Sequence, residues 1–163
     1  MNKPQGFALI ELMAVIILVG IIATFAAFFL TTGFNGYLNT KNTTEGALNA
    51  QMALDRISME LRNIRELTGT PSSMSLSYIS EDPTVTRTLK YENQRVFIRV
   101  DTTDHMLLDN ISSFDLSFDT RDLDHYPAAD VEVARIDVEF ELNNIGQIFR
   151  TNIFPRNMVK KTW

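Results

Sequence analysis

The sequence of 163 residues contains no cysteine and only one tryptophan. The absence of cysteine excludes a disulfide framework and a thiol nucleophile, and it fits either a reducing or an oxidising compartment. Basic residues are sparse as well, since the net charge is −5 and no run of Lys or Arg is longer than Lys160-Lys161. Because phosphate binding needs clustered cations, nucleic acid is a poor candidate for a direct partner.

Patterns typical of catalysis or metal binding are also missing. The two histidines, His105 and His125, fall in predicted turns, and no glycine-rich phosphate loop or G-x-S-x-G elbow occurs. The acidic run from Asp119 to His125, in the predicted loop 119–130, is an open candidate for calcium. Its spacing matches neither an EF-hand loop nor a zinc pattern, so a solvated acidic loop is preferred. The sequence therefore predicts no enzyme activity, no cofactor and no bound metal.

One long apolar stretch, GFALIELMAVIILVGIIATFAAFFL, extends from Gly6 to Leu30. As an α-helix, residues 7–30 reach about 36 Å at ~1.5 Å per residue, enough to cross a hydrocarbon core about 30 Å thick. The basic groups before it, Lys3 and the amino terminus, predict a cytoplasmic N-terminus by the positive-inside rule. A secretory signal peptide or a plain single-pass anchor leaves Glu11 unexplained, because a carboxylate in the bilayer costs about 2.5–3.5 kcal/mol.

The residues Gly6-Phe7-x-Leu9-Ile10-Glu11-Leu12-Met13 resemble the type III signal sequence of type IV pilins and type II secretion pseudopilins. The resemblance implies that a prepilin peptidase cuts between Gly6 and Phe7 on the cytoplasmic side and then methylates the new amino terminus of Phe7. Residues 1–6 would be a leader peptide, and residues 7–30 would stay as a transmembrane and assembly helix. Phe28 stands where many major pilins have a proline, which is a departure from that subgroup.

The same resemblance gives Glu11 a physical role. Cleavage would leave a positive amine on Phe7, one helical turn before Glu11. In a staggered bundle, the Glu11 carboxylate of one subunit can meet the Phe7 amine of its neighbour, and charges about 4 Å apart attract by roughly 4 kcal/mol at an effective dielectric of ~20. Pairing within one chain is the alternative, and the two are not exclusive. The interchain pair predicts an assembly role that sets the register between subunits.

Residues 31–163 are predicted to form a globular domain that begins with a neck and an amphipathic helix. The Gly-, Thr- and Asn-rich stretch 31–46 predicts a frayed or interrupted helix, restarted by a capping box of Asn42 and Glu45. The helix is predicted over 47–68, before the stop signal of Gly69 and Pro71. It carries an apolar stripe (Ala50, Leu54, Ile57, Leu61, Ile64) and two i,i+4 ion pairs on its polar side (Arg56/Glu60, Arg62/Glu66).

Seven apolar or alternating segments after the helix predict strands. They cover residues 74–80, 84–91, 95–100, 105–109, 111–118, 131–142 and 147–154, and the turn 143–146 joins the last two as a hairpin. A helix followed by strands in this order predicts an α+β fold, with the helix laid on an antiparallel meander.

The soluble part resembles the J-type pseudopilins and the W-type minor pilins in LDRISMELRNIREL, KYENQRVFIRV, ISSFDLSF and the ending FPRN. K-type pseudopilins typically lack the glutamate that stands here as Glu11. The resemblance implies a minor pseudopilin at the tip of a type II secretion pseudopilus, first held in the inner membrane with its domain in the periplasm. Implied partners are I- and K-type subunits, a major pseudopilin, the prepilin peptidase and an inner-membrane platform, with a cytoplasmic ATPase and an outer-membrane secretin completing the machine. A W-type minor pilin that primes a type IV pilus and an anchored periplasmic binding domain are the alternatives.

Overall fold

The computed structural model describes residues 9–80, 82, 84–122, 131–143, 145–157 and 159–160. The helix α1 (Leu9–Arg62) comes first and is followed by strands in the order that the sequence predicts. The strands are β1 (Glu66–Leu67), β2 (Ser75–Ile79), β3 (Thr86–Glu92), β4 (Arg95–Val100), β5 (Thr103–Leu108), β6 (Ile111–Arg121), β7 (Glu132–Leu142) and β8 (Ile148–Ile153). The predicted α+β class, with a long N-terminal helix packed against antiparallel sheet in a pilin-like architecture, is confirmed.

The chain divides into two compact units, Met1–Asn42 and Thr43–Trp163. In the first unit the described part of α1 is apolar and exposed, and the most apolar window of this helix has no buried residue. By length and composition, α1 is able to cross a membrane.

The predicted interruption of the helix between residues 31 and 46, with its capping box at Asn42, is wrong, because α1 is continuous there. Glycine and threonine lower helix stability by only about 1 kcal/mol per residue, and extending an existing helix adds one hydrogen bond for each residue fixed. Threonine hydroxyls also bond within the helix. Thr32 donates to the Phe28 carbonyl at 3.0 Å and Thr40 donates to the Gly36 carbonyl at 2.9 Å. Local helix propensity is therefore a poor guide to the structure of residues 31–46.

The helix ends at Arg62 and does not reach residue 68 as predicted. Residues 66–67 form β1, which pairs with β2, and the Arg65 amide donates to the Ile79 carbonyl at 2.9 Å. The C-terminal segment supplies partners for the backbone that leaves the helix. The Arg156 amide donates to the Arg62 carbonyl at 2.9 Å, and the Asn157 side-chain amide donates to the Ile64 carbonyl at 2.8 Å. These long-range bonds replace the last predicted helical turn.

The strands form two antiparallel sheets instead of the single meander that was expected. One sheet has the order β1-β2-β3-β4-β5, and the other has the order β6-β7-β8. The separation occurs at Asn110, which has a φ of 60° and turns the chain away from β5. The Ile111 amide then donates to the Gln94 carbonyl at 3.0 Å, and β6 pairs with β7 along its length. The predicted hairpin between β7 and β8 is confirmed, with Gly146 at a φ of 61°.

The core of the second unit lies between α1 and both sheets. All five residues of the predicted helical stripe are buried. They share one cluster with Tyr78 and Leu89 of the larger sheet and with Val138 and Phe140 of the smaller one. The helix is thus held by tertiary packing over its last turns, where its apolar stripe faces the sheets.

Candidate assembly site

Glu11 is the acidic residue of the first described turn of α1, and all its neighbours in that turn are apolar. The side chains around it are exposed, from 53% for Leu12 to 80% for Leu9. Within the described part of the chain, no basic group lies at ion-pair distance from its carboxylate. The first described turn of the helix therefore presents a single carboxylate among exposed apolar side chains.

The other residues of the predicted site, Gly6 and Phe7, lie outside the described residues. The proposed cleavage between them, the methylation of Phe7 and its pairing with Glu11 therefore stay predictions. The described helix does show that Glu11 belongs to a regular α-helical segment. A residue four positions earlier on such a segment would lie one turn away on the same face.

The comparison with protein families matches residues 1–27 to the prokaryotic N-terminal methylation motif. The matched segment contains Gly6, Phe7 and Glu11, together with the first part of α1. No curated protein and no solved structure matches the chain. The motif is the prepilin signal of type IV pilins and pseudopilins, so it supports a pilin-like chain that prepilin peptidase processes.

The methylation motif and the apolar helix α1 together point to a general class of protein. A single N-terminal apolar helix with this signal fits an inner-membrane-anchored protein that assembles with other pilin-type subunits. The motif points to a structural subunit. The same match and the apolar helix support a methylated N-terminus and a transmembrane helix.

Only some of the sequence-based candidates for chemistry lie within the described residues. His105 lies within β5, as the predicted strand 105–109 requires, and not in a turn, while His125 falls outside the described residues. Asp119 is paired with Arg121, its oxygen 2.9 Å from the guanidinium. Among the described residues, no group of three or more His, Cys, Asp or Glu side chains is placed to hold a metal ion.

The predicted Arg56/Glu60 pair is confirmed, but sequence reasoning missed the buried ionic network around Glu60 to which it belongs. It placed Glu60 on the polar side of the helix, but the side chain is only 9% exposed. One of its oxygens forms an ion pair with Arg56 of the same helix at 2.7 Å, and the other accepts a hydrogen bond from Arg87 on β3, also at 2.7 Å. The Tyr78 hydroxyl of β2 lies 3.5 Å from the same carboxylate. The network therefore ties the helix to the larger sheet.

Glu60 follows Ile57 by three positions and precedes Ile64 by four. That spacing places it on the buried stripe, a signal that could have revealed its burial. The other predicted pair, Arg62 with Glu66, does not exist as a helical pair, because Glu66 lies on β1. Burial and the neighbouring Glu60 carboxylate raise the pKa of Tyr78 well above its usual value.

Proposed function

We propose that this chain is a minor pseudopilin, similar to the J-type, that becomes part of the tip of a type II secretion pseudopilus. The observation that carries the proposal is Glu11, a carboxylate without a partner in the described helix, inside a segment that matches the methylation motif. A helix that serves only as an anchor gains nothing from this charge. A helix that must recognise another helix gains a specific contact from this charge.

The energies favour a charge pair with a neighbouring subunit. Holding the Glu11 carboxylate in the bilayer costs about 2.5–3.5 kcal/mol on insertion scales. An amine on Phe7 of the next subunit at about 4 Å would attract it by roughly 4 kcal/mol at an effective dielectric of ~20. The attraction is therefore large enough to offset the cost, and it operates in one axial register only.

The resemblance of the soluble part supports the J-type assignment within this class. The segment FPRN, residues 154–157, belongs to that resemblance, and here it supplies the hydrogen bonds that end α1. Secretion through a pseudopilus, with I- and K-type partners at the tip, is the function that follows. The W-type minor pilin of a type IV pilus shares the same features and is the alternative.

The first test is N-terminal mass spectrometry of the membrane-bound protein made with and without prepilin peptidase. We expect the chain to begin at a methylated Phe7 only when the peptidase is present. A chain that still begins at Met1, or that is cut after the apolar segment, would remove the proposal and favour the anchored binding domain.

The second test separates assembly from cleavage. We expect Glu11→Ala to be cleaved normally but to enter filaments or tip complexes poorly, since up to roughly 4 kcal/mol of attraction is lost. Leu12→Ala is the matched control, because it shortens a neighbouring exposed side chain of the same helix and leaves the charge intact. If Glu11→Ala and Leu12→Ala co-purify with the other subunits equally well, the charge-pair argument fails.

A further inference from the structure

Three arginines meet where α1 ends. Arg62 is the last helical residue, Arg65 follows before β1, and Arg156 lies in the C-terminal segment. The Arg156 amide donates to the Arg62 carbonyl at 2.9 Å, so segments far apart in the sequence are joined here. All three side chains are exposed. We call these three residues the basic patch.

The basic patch differs from most other arginines in its electrostatic surroundings. Arg87, Arg99 and Arg135 each lie within ion-pair distance of a carboxylate. Within the part of the chain that the structure describes, no carboxylate lies at that distance from Arg62, Arg65 or Arg156. Positive charge is thus concentrated at one place in a chain whose net charge is −5.

The negative end of the helix dipole balances only part of this positive charge. The C-terminal end of a helix is equivalent to about half a negative charge, which one cation is enough to balance. Even when Glu66, the exposed carboxylate next to Arg65 in the chain, is counted, the three arginines leave an excess of more than one positive charge. An anionic partner would balance this excess.

Two small surface depressions flank the basic patch. One depression of about 210 Å³ is lined by Asn63, Arg65, Arg156 and Asn157. A second depression of about 220 Å³ includes Arg62 and Phe154 in its lining. Phe154 is 63% exposed and adds an apolar surface beside Arg62. Arginine together with an aromatic side chain is the composition enriched in protein–protein interfaces.

We propose that the basic patch and Phe154 bind an acidic segment of another protein. Carboxylates of that segment would form forked hydrogen bonds with the guanidinium groups, and an apolar side chain would pack on Phe154. A protein partner is favoured over nucleic acid because the patch offers only three cations, too few for the clustered phosphate contacts of nucleic-acid binding. This surface is distinct from the N-terminal segment on which the proposed function rests.

The probe is a fluorescent ten-residue peptide of glutamates with one central phenylalanine, titrated against the full chain in detergent micelles at low salt. We expect saturable binding that weakens as salt is raised. The triple variant Arg62→Gln, Arg65→Gln, Arg156→Gln should bind on the order of tenfold more weakly, as expected for three exposed ion pairs. Lysine keeps the charge but cannot form the forked hydrogen bonds, so replacing the same three arginines by lysine should weaken binding measurably while keeping its salt dependence. The lysine variant also serves if the glutamine variant does not fold.

The matched control is Arg95→Gln, Arg121→Gln, Arg150→Gln, which removes the same charge from exposed sites elsewhere. It should leave the affinity within about threefold, since only general electrostatic attraction changes. Equal losses in the two triple variants, or no peptide binding at low salt, would overturn the proposal.

Two further titrations separate the alternatives. A single-stranded DNA decamer that bound more tightly than the peptide, with the same dependence on the basic patch, would make the patch a nucleic-acid site and refute a protein partner. If the chain self-associates as its concentration rises and the triple glutamine variant abolishes this, the partner would be a second copy of this chain and not another protein. Phe154→Ala should weaken peptide binding without changing its salt dependence, because the lost contact is apolar.

Discussion

Tyr78 makes the stability of the globular part sensitive to alkaline pH. Its side chain is fully buried, and its hydroxyl faces the Glu60 carboxylate at 3.5 Å. Burial first, and the nearby negative charge second, raise the pKa of Tyr78 above the ordinary tyrosine value of 10.0. The folded protein therefore keeps this proton at a pH where the unfolded chain has lost it.

The sign and size of the effect follow from proton linkage. Above about pH 10, the folded state binds one proton more than the unfolded state, so raising the pH favours unfolding. One proton corresponds to about 1.4 kcal/mol per pH unit. We expect the free energy of unfolding to fall by roughly 1 kcal/mol between pH 10 and pH 11 from this residue alone, and more steeply above pH 11, where the unfolded tyrosine is fully ionised. Below about pH 9 the contribution is constant, because both states are protonated.

The assay is denaturant unfolding of the full chain in micelles, followed by near-ultraviolet circular dichroism between pH 8 and 11.5. Tyr78→Phe should lack this component of the alkaline loss, whereas Tyr91→Phe, a half-buried tyrosine of β3, should retain it because Tyr78 is intact. The difference between the Tyr78→Phe protein and the unmodified protein cancels other alkaline titrations, such as those of lysines. If the pH profiles of the Tyr78→Phe protein and the unmodified protein were parallel, Tyr78 would ionise equally in the folded and unfolded states, and the reasoning would be refuted.

Two further predictions concern residues of α1. Glu60→Ala leaves two arginines and a buried hydroxyl without their partner, so it should lower the free energy of unfolding by about 2 kcal/mol. This loss is smaller than that expected for a fully buried ion pair because Arg56 is half exposed. The exposed Glu66→Ala should stay within about 0.5 kcal/mol, and equal effects of the two in the same denaturant assay would contradict a structural role for the network. Leu61→Ala removes a side chain that is 1% exposed and should cost about 2–5 kcal/mol. Leu48→Ala, on the exposed side of the same helix, should cost less than about 1 kcal/mol; a similar loss from both would place the core elsewhere.

The features that could be read from the sequence depend on local pattern. The apolar segment beginning at Gly6 shows membrane-spanning capacity by its length, and Glu11 stands out because no plain anchor needs it. The stripe through Ile57 and Leu61 predicted the buried helical face, because 3.6 residues per turn place spacings of three and four on one side. Both ends of strand β4, Arg95–Val100, were predicted correctly. Asn93 and Gln94 form the turn before it, with φ values of 52° and 62°.

Contacts between distant segments determined what the sequence could not show. The helix ends at Arg62 because β2 and the backbone amide of Arg156 take up the groups that the next helical turn would have used. Glu60 becomes a buried acceptor because Arg87, which is 27 residues away, reaches it from the sheet. The basic patch likewise exists only because the C-terminal segment returns to the end of α1. Helical and strand periodicity acts over a few residues, whereas the ends of elements, the division into two sheets and the partners of buried charges depend on which segments meet after folding.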